Sequence, residues 1–132
     1  MAPVFVEAWR DSDYVSYNGH AGYGTNIRNL VEWAGIDQSD RYRVFYANGC
    51  WTYQYWAESG EDSLLDVVAN IRPSYFVLMA RQNIIVLEGL VSQTQSYQDI
   101  LDKVDQDRGI NRNEEYNPHM IISGEDNNRF RP

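Results

Sequence analysis

The sequence predicts an α/β fold: a mostly parallel sheet with flanking helices. Three apolar runs, residues 14–17, 42–47 and 75–80, have the length and composition of strands. The segments between them carry apolar residues at helical spacing, and strands that alternate with helices are typical of parallel sheets. A chain of 132 residues has the size of one domain. We therefore expect a single α/β domain over residues 1–132.

The first predicted helices have recognisable start and stop residues. Thr25 is the expected N-cap of a helix over residues 26–34, and Gly35 is its expected stop. Ser63 and Asp66 resemble a capping box that opens a second helix, and Pro73 is the expected end of that helix. We expect these two helices to connect the strands.

The second half of the chain continues the pattern. Residues 83–92 are predicted to be helical, and Ser96 is the expected cap of a further helix that ends before Gly109. A polar loop over residues 110–118 then precedes a last strand, residues 119–123. The chain shows no internal repeat and no low-complexity segment.

Composition narrows the classes of function. Hydrophobic residues make up 43% and charged residues 23%, as in globular proteins. The formal net charge of -8 argues against nucleic-acid binding, which needs a basic face. No apolar run approaches the roughly 20 residues that cross a bilayer, and the first residues lack the pattern of a signal peptide. We expect a soluble chain with no membrane association. The single cysteine excludes an internal disulfide and leaves the cellular location unknown.

Two of the predicted strands end on residues with catalytic chemistry. His20 follows the first strand, in DYVSYNGHAGYGTNI, and Cys50 follows the second, in RYRVFYANGCWTY. The carboxyl ends of parallel strands meet at one edge of a sheet, so we expect the two side chains to be close. A thiolate is a nucleophile, and a nearby imidazole can accept the thiol proton and later donate one to a leaving amine. His20 and Cys50 are therefore the candidate catalytic residues.

The residues around this pair suit the same chemistry. Glycines let the backbone approach a substrate, and the backbone amides of Ala21 and Cys50 are candidates for an oxyanion hole. The candidate substrate pocket is formed by the residues that flank the cysteine: Asn48, Gly49, Trp51, Thr52 and Tyr53. Two alternatives remain open. Asn48 also suits a turn-stabilising role, and the aromatic residues after the cysteine also suit a packed flap or a surface that meets another part of the protein.

These two motifs resemble the caspase and gingipain-like cysteine peptidases, the clan that includes clostripain, legumain and separase. In that clan an apolar strand ends on His-Gly, and the next ends on a small residue and Cys. The resemblance covers roughly residues 13–80. It implies a caspase-like three-layer sandwich and a peptide or protein substrate. It also implies that His20 is the general base and acid, that Cys50 is the nucleophile, and that the amides of Ala21 and Cys50 bind the oxyanion.

One departure from that family bears on partners. The sheet of these peptidases has two further strands before the histidine strand, whereas only about a dozen residues precede it here. Two explanations are open. Either the chain is the C-terminal part of a larger catalytic domain, with an N-terminal portion that covers the sheet edge, or a second copy or another subunit covers that edge as an oligomer.

Two other classes of function remain open. A non-catalytic binding or scaffolding module would keep the fold with a buried, unreactive Cys50, because free cysteine is often a small buried hydrophobe. A thiol-dependent small-molecule hydrolase or acyltransferase would use the same Cys-His pair on another substrate. Reactivity of the thiol separates the first of these from an enzyme, and a comparison of ester and amide substrates separates the second from a peptidase.

Metals and cofactors have little support in the sequence. With two histidines and one cysteine the chain has no zinc-type ligand cluster, and His119 is interpreted as structural. The acidic stretches at residues 11–13 and 124–128 offer oxygens of the kind that calcium binds, but neither has the full loop pattern of an EF-hand. We expect solvated turns there and no cofactor.

Overall fold

A four-stranded sheet lies between two layers of helices in the computed structural model, which describes residues 2–35, 40–56, 64–107 and 120–123. The strands are β1 (Tyr14–Asn18), β2 (Arg43–Asn48), β3 (Leu65–Asn70) and β4 (Met120–Ser123). The helices are α1 (Ala2–Asp11), α2 (Thr25–Ala34), α3 (Thr52–Trp56), α4 (Phe76–Ser92) and α5 (Tyr97–Asp107).

The spatial order of the strands follows the chain, β1-β2-β3-β4. The first three strands are parallel, and β4 pairs antiparallel with β3. The predicted α/β class with a mostly parallel sheet is therefore confirmed. The described part of the chain contains no helix whose length and hydropathy would let it span a bilayer.

Phe45 is the centre of the first face of the sheet, which α1, α2 and α3 cover. Its ring lies 6.0 Å from the rings of Phe5 and Trp9 in α1 and 5.6 Å from Trp56 in α3. The remaining buried side chains of the strands in this layer alternate along them and face the helices: Val15, Ala47, Leu65, Val67 and Ala69. Ala21 from the turn after β1 and Ile27 and Leu30 from α2 pack against them. This alternation is what a sheet covered on both faces requires.

The second face of the sheet packs against α4 and α5. Val44, Tyr46 and Val68 contribute from the strands. The helices contribute mainly Val86 from α4 and, from α5, Tyr97, Ile100, Leu101 and Val104. The two helices approach closely because α4 has no side chain at Gly89, where a Cβ would lie 2.5 Å from Cγ1 of Ile100.

A buried carboxylate stabilises this second layer. Asp66 lies in β3 with 1% of its surface exposed. Its Oδ2 accepts hydrogen bonds from the Tyr97 hydroxyl at 2.9 Å and from the Tyr42 hydroxyl at 2.5 Å. Burying a charge is costly unless it is hydrogen-bonded, so the two phenols explain how an acid is tolerated in an interior strand.

Two element predictions were wrong, and both errors have the same physical origin. Residues 63–71, predicted as a helix, contain strand β3, and residues 75–80, predicted as a strand, open helix α4. Continuous apolar runs suit a strand buried on both faces and a buried helix equally well, because periodicity does not separate the two. The adjacent β-branched residues Val67 and Val68 favour the strand.

Other predicted elements are confirmed. Helix α2 ends at Ala34, and Gly35, which has φ 60°, caps it through its N–H to the Val31 carbonyl. The predicted N-cap was wrong by one residue, because Thr25 is the first helical residue and Gly24, with φ 85°, is the N-cap. Ser96 and Asp99 form the capping box of α5, with the serine hydroxyl 2.7 Å from the carboxylate. The last strand is present at residues 120–123, whereas Gly109 and residues 110–118 lie outside the described residues. Helices α1 and α3 were not predicted.

We expect the tyrosine hydrogen bonds to Asp66 to make stability fall in alkali. Burial, the hydrogen bond with Tyr42 and the nearby Asp66 charge raise the pKa of Tyr97. Above the unfolded-state pKa of about 10 the unfolded chain ionises this phenol while the folded chain keeps it neutral, so stability falls by about 1.4 kcal/mol per pH unit for this tyrosine.

Tyr97→Phe should lower the free energy of unfolding by about 1–2 kcal/mol at pH 7 and should flatten its decline above pH 10. Urea denaturation at pH 7 and at several pH values above 10 measures the free energy of unfolding of both proteins. Tyr23→Phe is the control, because Tyr23 is almost fully exposed. An unchanged alkaline slope in Tyr97→Phe would contradict the prediction.

Candidate active site at the carboxyl edge of the sheet

The turns that carry His20 and Cys50 touch each other through their backbones. The Gly19 N–H donates a hydrogen bond to the Asn48 carbonyl at 3.1 Å, which fastens the first turn to the end of β2. A Cβ at Gly49 would lie 2.7 Å from the Gly19 carbonyl oxygen and 3.5 Å from the Ala21 nitrogen. The contact therefore requires glycine at position 49.

The Cys50 thiol is half-buried and lies against the connection between β3 and α4. Its Sγ accepts a hydrogen bond from the Ser74 N–H at 3.4 Å and donates one to the Ser74 carbonyl at 3.5 Å. Ser74 immediately precedes Tyr75, the N-cap of the 17-residue helix α4. The thiol therefore lies near the positive end of a helix dipole, which favours developing negative charge.

The His20 side chain is exposed and contacts the same connection. Its ring meets Phe76 edge-on, with ring centroids 4.6 Å apart and an interplanar angle of 86°. Among the described residues none hydrogen-bonds to the His20 ring, and the partner of the Cys50 thiol is Ser74. The two predicted catalytic side chains thus share one wall, residues 74–76, without a hydrogen bond between them in this conformation.

The backbone around His20 is held in one orientation. The His20 carbonyl accepts hydrogen bonds from the Tyr17 hydroxyl and from Nδ2 of Asn26, each at 2.7 Å. Burial raises the pKa of Tyr17 and keeps that hydroxyl a donor. In a trans peptide the N–H points opposite to the C=O, so the Ala21 N–H faces away from these donors. In the described part of the chain neither the Ala21 nor the Cys50 amide donates a hydrogen bond to another residue.

Backbone strain follows the cysteine directly. Trp51 has φ 52°, in the left-handed region that non-glycine residues rarely adopt. Its N–H donates to the Arg72 carbonyl at 3.2 Å, so the strained residue links the Cys50 turn to the segment after β3. Such strain is common at functional sites, where it presents a side chain at a sharp turn.

Asn48 is the hub of a buried polar network beneath the two turns. Its Nδ2 lies 3.2 Å from Oδ1 of Asn18 and 3.4 Å from Oε1 of Gln82. Its Oδ1 accepts hydrogen bonds from Asn70 at 3.0 Å and from the Ser74 hydroxyl at 2.8 Å. All three parallel strands end on asparagine, and one amide joins those ends to α4 and to the wall that contacts the thiol.

The other candidate pocket residues differ in accessibility. Thr52 is buried, and its hydroxyl donates to the Ala47 carbonyl and accepts from the Asn70 N–H. Tyr53 is half-buried and packs on the first layer of the core. Trp51, the residue after Cys50, is about half exposed. Of the aromatic residues that follow the cysteine, Trp51 is the exposed one, while Trp56 is core.

Sequence reasoning missed the wall of the site. Ser74, Phe76 and Asn70 were overlooked because the segments on either side of them were assigned to the wrong elements. A signal was present: each of the three parallel strands ends on Asn, at Asn18, Asn48 and Asn70. Polar residues at matching strand ends predict a shared edge.

Of the two acidic stretches considered for calcium, the structure describes only residues 11–13. Asp11 pairs with Arg10 at 2.7 Å, and Asp13 lies 3.3 Å from Arg41. Within the described ranges no group of three or more His, Cys, Asp and Glu side chains is arranged to hold a metal ion. Residues 124–128 and His119 lie outside the described residues.

Asn48→Ala should destabilise the protein by about 2–4 kcal/mol, because it leaves several buried polar groups without their partner. Asn18→Ala is the matched control: Asn18 is exposed at the end of the same network, so we expect a cost below about 1 kcal/mol. Urea denaturation of both variants measures the difference. Equal costs would contradict the hub role of Asn48.

Gly49→Ala tests the contact between the turns. The new Cβ would meet a backbone oxygen that has no room to move, and we expect a loss of about 1–3 kcal/mol. Gly19→Ala is the comparison, because there the Cβ would meet the hydroxyl end of the Tyr17 side chain, which can move at the cost of its hydrogen bond to the His20 carbonyl, whereas the backbone oxygen at Gly49 cannot. Thermal unfolding by circular dichroism compares the two. A Gly49→Ala variant as stable as Gly19→Ala would show that the turns are not in contact.

Comparison with known proteins finds no match: no family model matches the sequence, and no curated protein and no solved structure is significantly similar to it. The resemblance to caspase and gingipain-like peptidases therefore depends on the His20 and Cys50 turns themselves. The contacts at the sheet edge are the basis for a functional interpretation.

Proposed function

We propose that this protein is a cysteine peptidase in which Cys50 is the nucleophile and His20 the general base and acid. The observation that carries the proposal is the backbone contact between the two turns, with Gly49 against Gly19. That contact brings together the two turns that carry the thiol and the imidazole, and both side chains contact residues 74–76. A nucleophile, a proton carrier and an oxyanion site within reach of each other are the requirements of acyl transfer.

The reaction would run in two halves. His20 takes the proton of the Cys50 thiol, and the thiolate attacks the carbonyl carbon of the scissile peptide bond while the Ala21 and Cys50 amides bind the oxyanion. The protonated imidazole then gives its proton to the leaving amine as the carbon–nitrogen bond breaks, which leaves a thioester. His20 next takes a proton from water as the water oxygen attacks the thioester carbon. The carbon–sulfur bond then breaks, the acid leaves, and the imidazolium returns its proton to the thiolate.

The exposed position of His20 is compatible with this role. Both side chains contact residues 74–76, and the proposed proton transfer requires the His20 side chain to rotate away from Phe76 toward the thiol. Catalytic hydrogen bonds are often long or unformed in a free enzyme and tighten when substrate binds.

The surroundings favour a substrate with apolar side chains. Tyr23, Trp51, Tyr75 and Phe76 are exposed on the turns and on the wall of the site. Exposed aromatic residues beside a reactive group are typical of surfaces that hold peptide segments. We therefore propose a peptide substrate with apolar residues next to the scissile bond.

One contact favours a second candidate function. The Cys50 thiol donates a hydrogen bond to the Ser74 carbonyl, a contact that a structural cysteine can make without any catalytic role. In a non-catalytic binding module with this fold, Cys50 would keep that bond and act as a small buried side chain. The chemistry of the thiol separates the two candidates.

We expect iodoacetamide to label Cys50 at pH 7 at least tenfold faster in the unmodified protein than in His20→Ala. Tyr23→Ala is the control, since Tyr23 is exposed on the same turn, and its labelling rate should match that of the unmodified protein. Cys50→Ser confirms the site of labelling by mass spectrometry. Slow labelling that does not depend on His20 would favour the binding module.

Hydrolysis then identifies the reaction. A peptide library analysed by mass spectrometry, with chromogenic esters alongside, should show cleavage of amides that Cys50→Ser and His20→Ala abolish. A fast thiol that cleaves esters and not peptides would instead support a small-molecule hydrolase or acyltransferase.

A further inference from the structure

Helix α4 is apolar on two opposite faces. Its core side buries Met79, Gln82, Val86 and Gly89. On the opposite side, large apolar residues are exposed: Val77 at 87%, Ile84 at 54%, Leu87 at 40% and Val91 at 73%, with the exposed Ala80 between them. Isolated exposed apolar residues are ordinary, but a continuous stripe along a helix marks an interaction surface.

The spacing of this stripe is that of a coiled-coil seam. Residues 77, 80, 84, 87 and 91 are separated alternately by three and four positions, which is the a/d repeat of two packed helices. The core side of α4, at residues 79, 82, 86 and 89, has the same spacing, and the sheet and α5 cover it. The stripe therefore has the pattern expected for packing against another helix.

We propose that this stripe is the interface of a homodimer in which the α4 helices of two copies pack antiparallel across a two-fold axis. The stripe begins directly after residues 74–76, and the inference does not depend on the proposed function. It is also distinct from the open edge of the sheet, where the sequence suggested an oligomer.

The charges beside the stripe favour a second copy as the occupant. Arg81 and Glu88 lie along the same flank of the seam, one heptad apart. In an antiparallel pair with Ile84 opposite Leu87 of the partner subunit, Arg81 lies beside Glu88 of the partner subunit. The two-fold axis repeats this ion pair, so the flank is complementary to itself.

A parallel pair lacks this complementarity. It would set Arg81 beside Phe76 of the partner subunit, where no carboxylate is present. Arg81 also pairs with Asp107, whose Oδ1 lies 2.5 Å from one guanidinium nitrogen. Its side chain is 73% exposed, so the remaining donors are accessible to a second carboxylate.

The area suits a weak dimer. The exposed parts of the stripe, with Phe76 at its end, amount to roughly 500 Å² per chain and about 1,000 Å² across two copies, which is near the lower limit for a specific interface. We therefore expect reversible dimerisation in the micromolar range and not an obligate dimer.

Sedimentation velocity of the full chain between about 1 μM and about 300 μM tests the proposal, since an interface of this size should associate within that range. Ile84→Glu should weaken the dimer at least tenfold. Val91→Glu should do the same, while Val4→Glu should not, although Val4 in α1 is equally exposed at 73%. Circular dichroism confirms that each variant folds. A chain that stays monomeric throughout, or Val4→Glu and Val91→Glu with equal effects, would overturn the proposal.

A charge exchange tests the antiparallel register. Glu88→Arg places two cations beside each other and should weaken the dimer, and the double variant Arg81→Glu/Glu88→Arg should restore the dissociation constant to within about threefold. Failure of the double variant to recover would overturn the antiparallel arrangement.

Discussion

The structure depends on one buried amide at the carboxyl edge of the sheet. Asn48 is fully enclosed, and the strand ends on both sides of it share its hydrogen bonds. A polar side chain in such a place is costly to leave unpaired, so the positions of its neighbours are constrained together. Those neighbours include Ser74, which contacts the candidate nucleophile. The main-chain carbonyl of Asn48 in turn accepts a hydrogen bond from the Gly19 N–H, next to the candidate base. The geometry of the proposed site is thus set one layer below it, by residues that would not touch a substrate.

Local signals in the sequence were sufficient for part of this arrangement. The strand before His20, the helix that Gly35 caps and the capping box at Ser96 each combine a pattern with a specific boundary residue. Because His20 and Cys50 each follow a parallel strand, the sequence alone predicted that they lie at the same edge of the sheet. The assignments failed at residues 63–80. There an apolar strand is followed within a few residues by an apolar helix, and the solvent-facing side of that helix, α4, is itself apolar. Amphipathic contrast, the usual evidence for a surface helix, is missing there. Residues 74–76, the wall of the site, lie in that region, so the sequence analysis did not identify them.

The two helical layers differ in the kind of side chain that they bury. The first layer is aromatic and closed, with Phe45 enclosed by rings from α1 and α3. The second combines a buried acid, two phenols and the helix that supplies Phe76 to the site. Helix α4 therefore contacts the core through one face, the candidate active site through its first turn, and solvent through an apolar stripe. Any protein that covered the stripe would lie beside residues 74–76, and so beside the thiol and the imidazole.

The position of β1 within the sheet has a consequence for motion. In the described sheet β1 pairs with β2 alone, whereas β2 has a neighbour on each side. An outer strand opens at lower free energy than an inner one, so amide protons of residues 14–18 should exchange with solvent sooner than those of β2. The candidate base is carried by the strand that opens more easily and the candidate nucleophile by the strand that opens less easily. Partial opening would separate the imidazole from the thiol while most of the domain remained folded, and any ligand that bound both would slow that exchange.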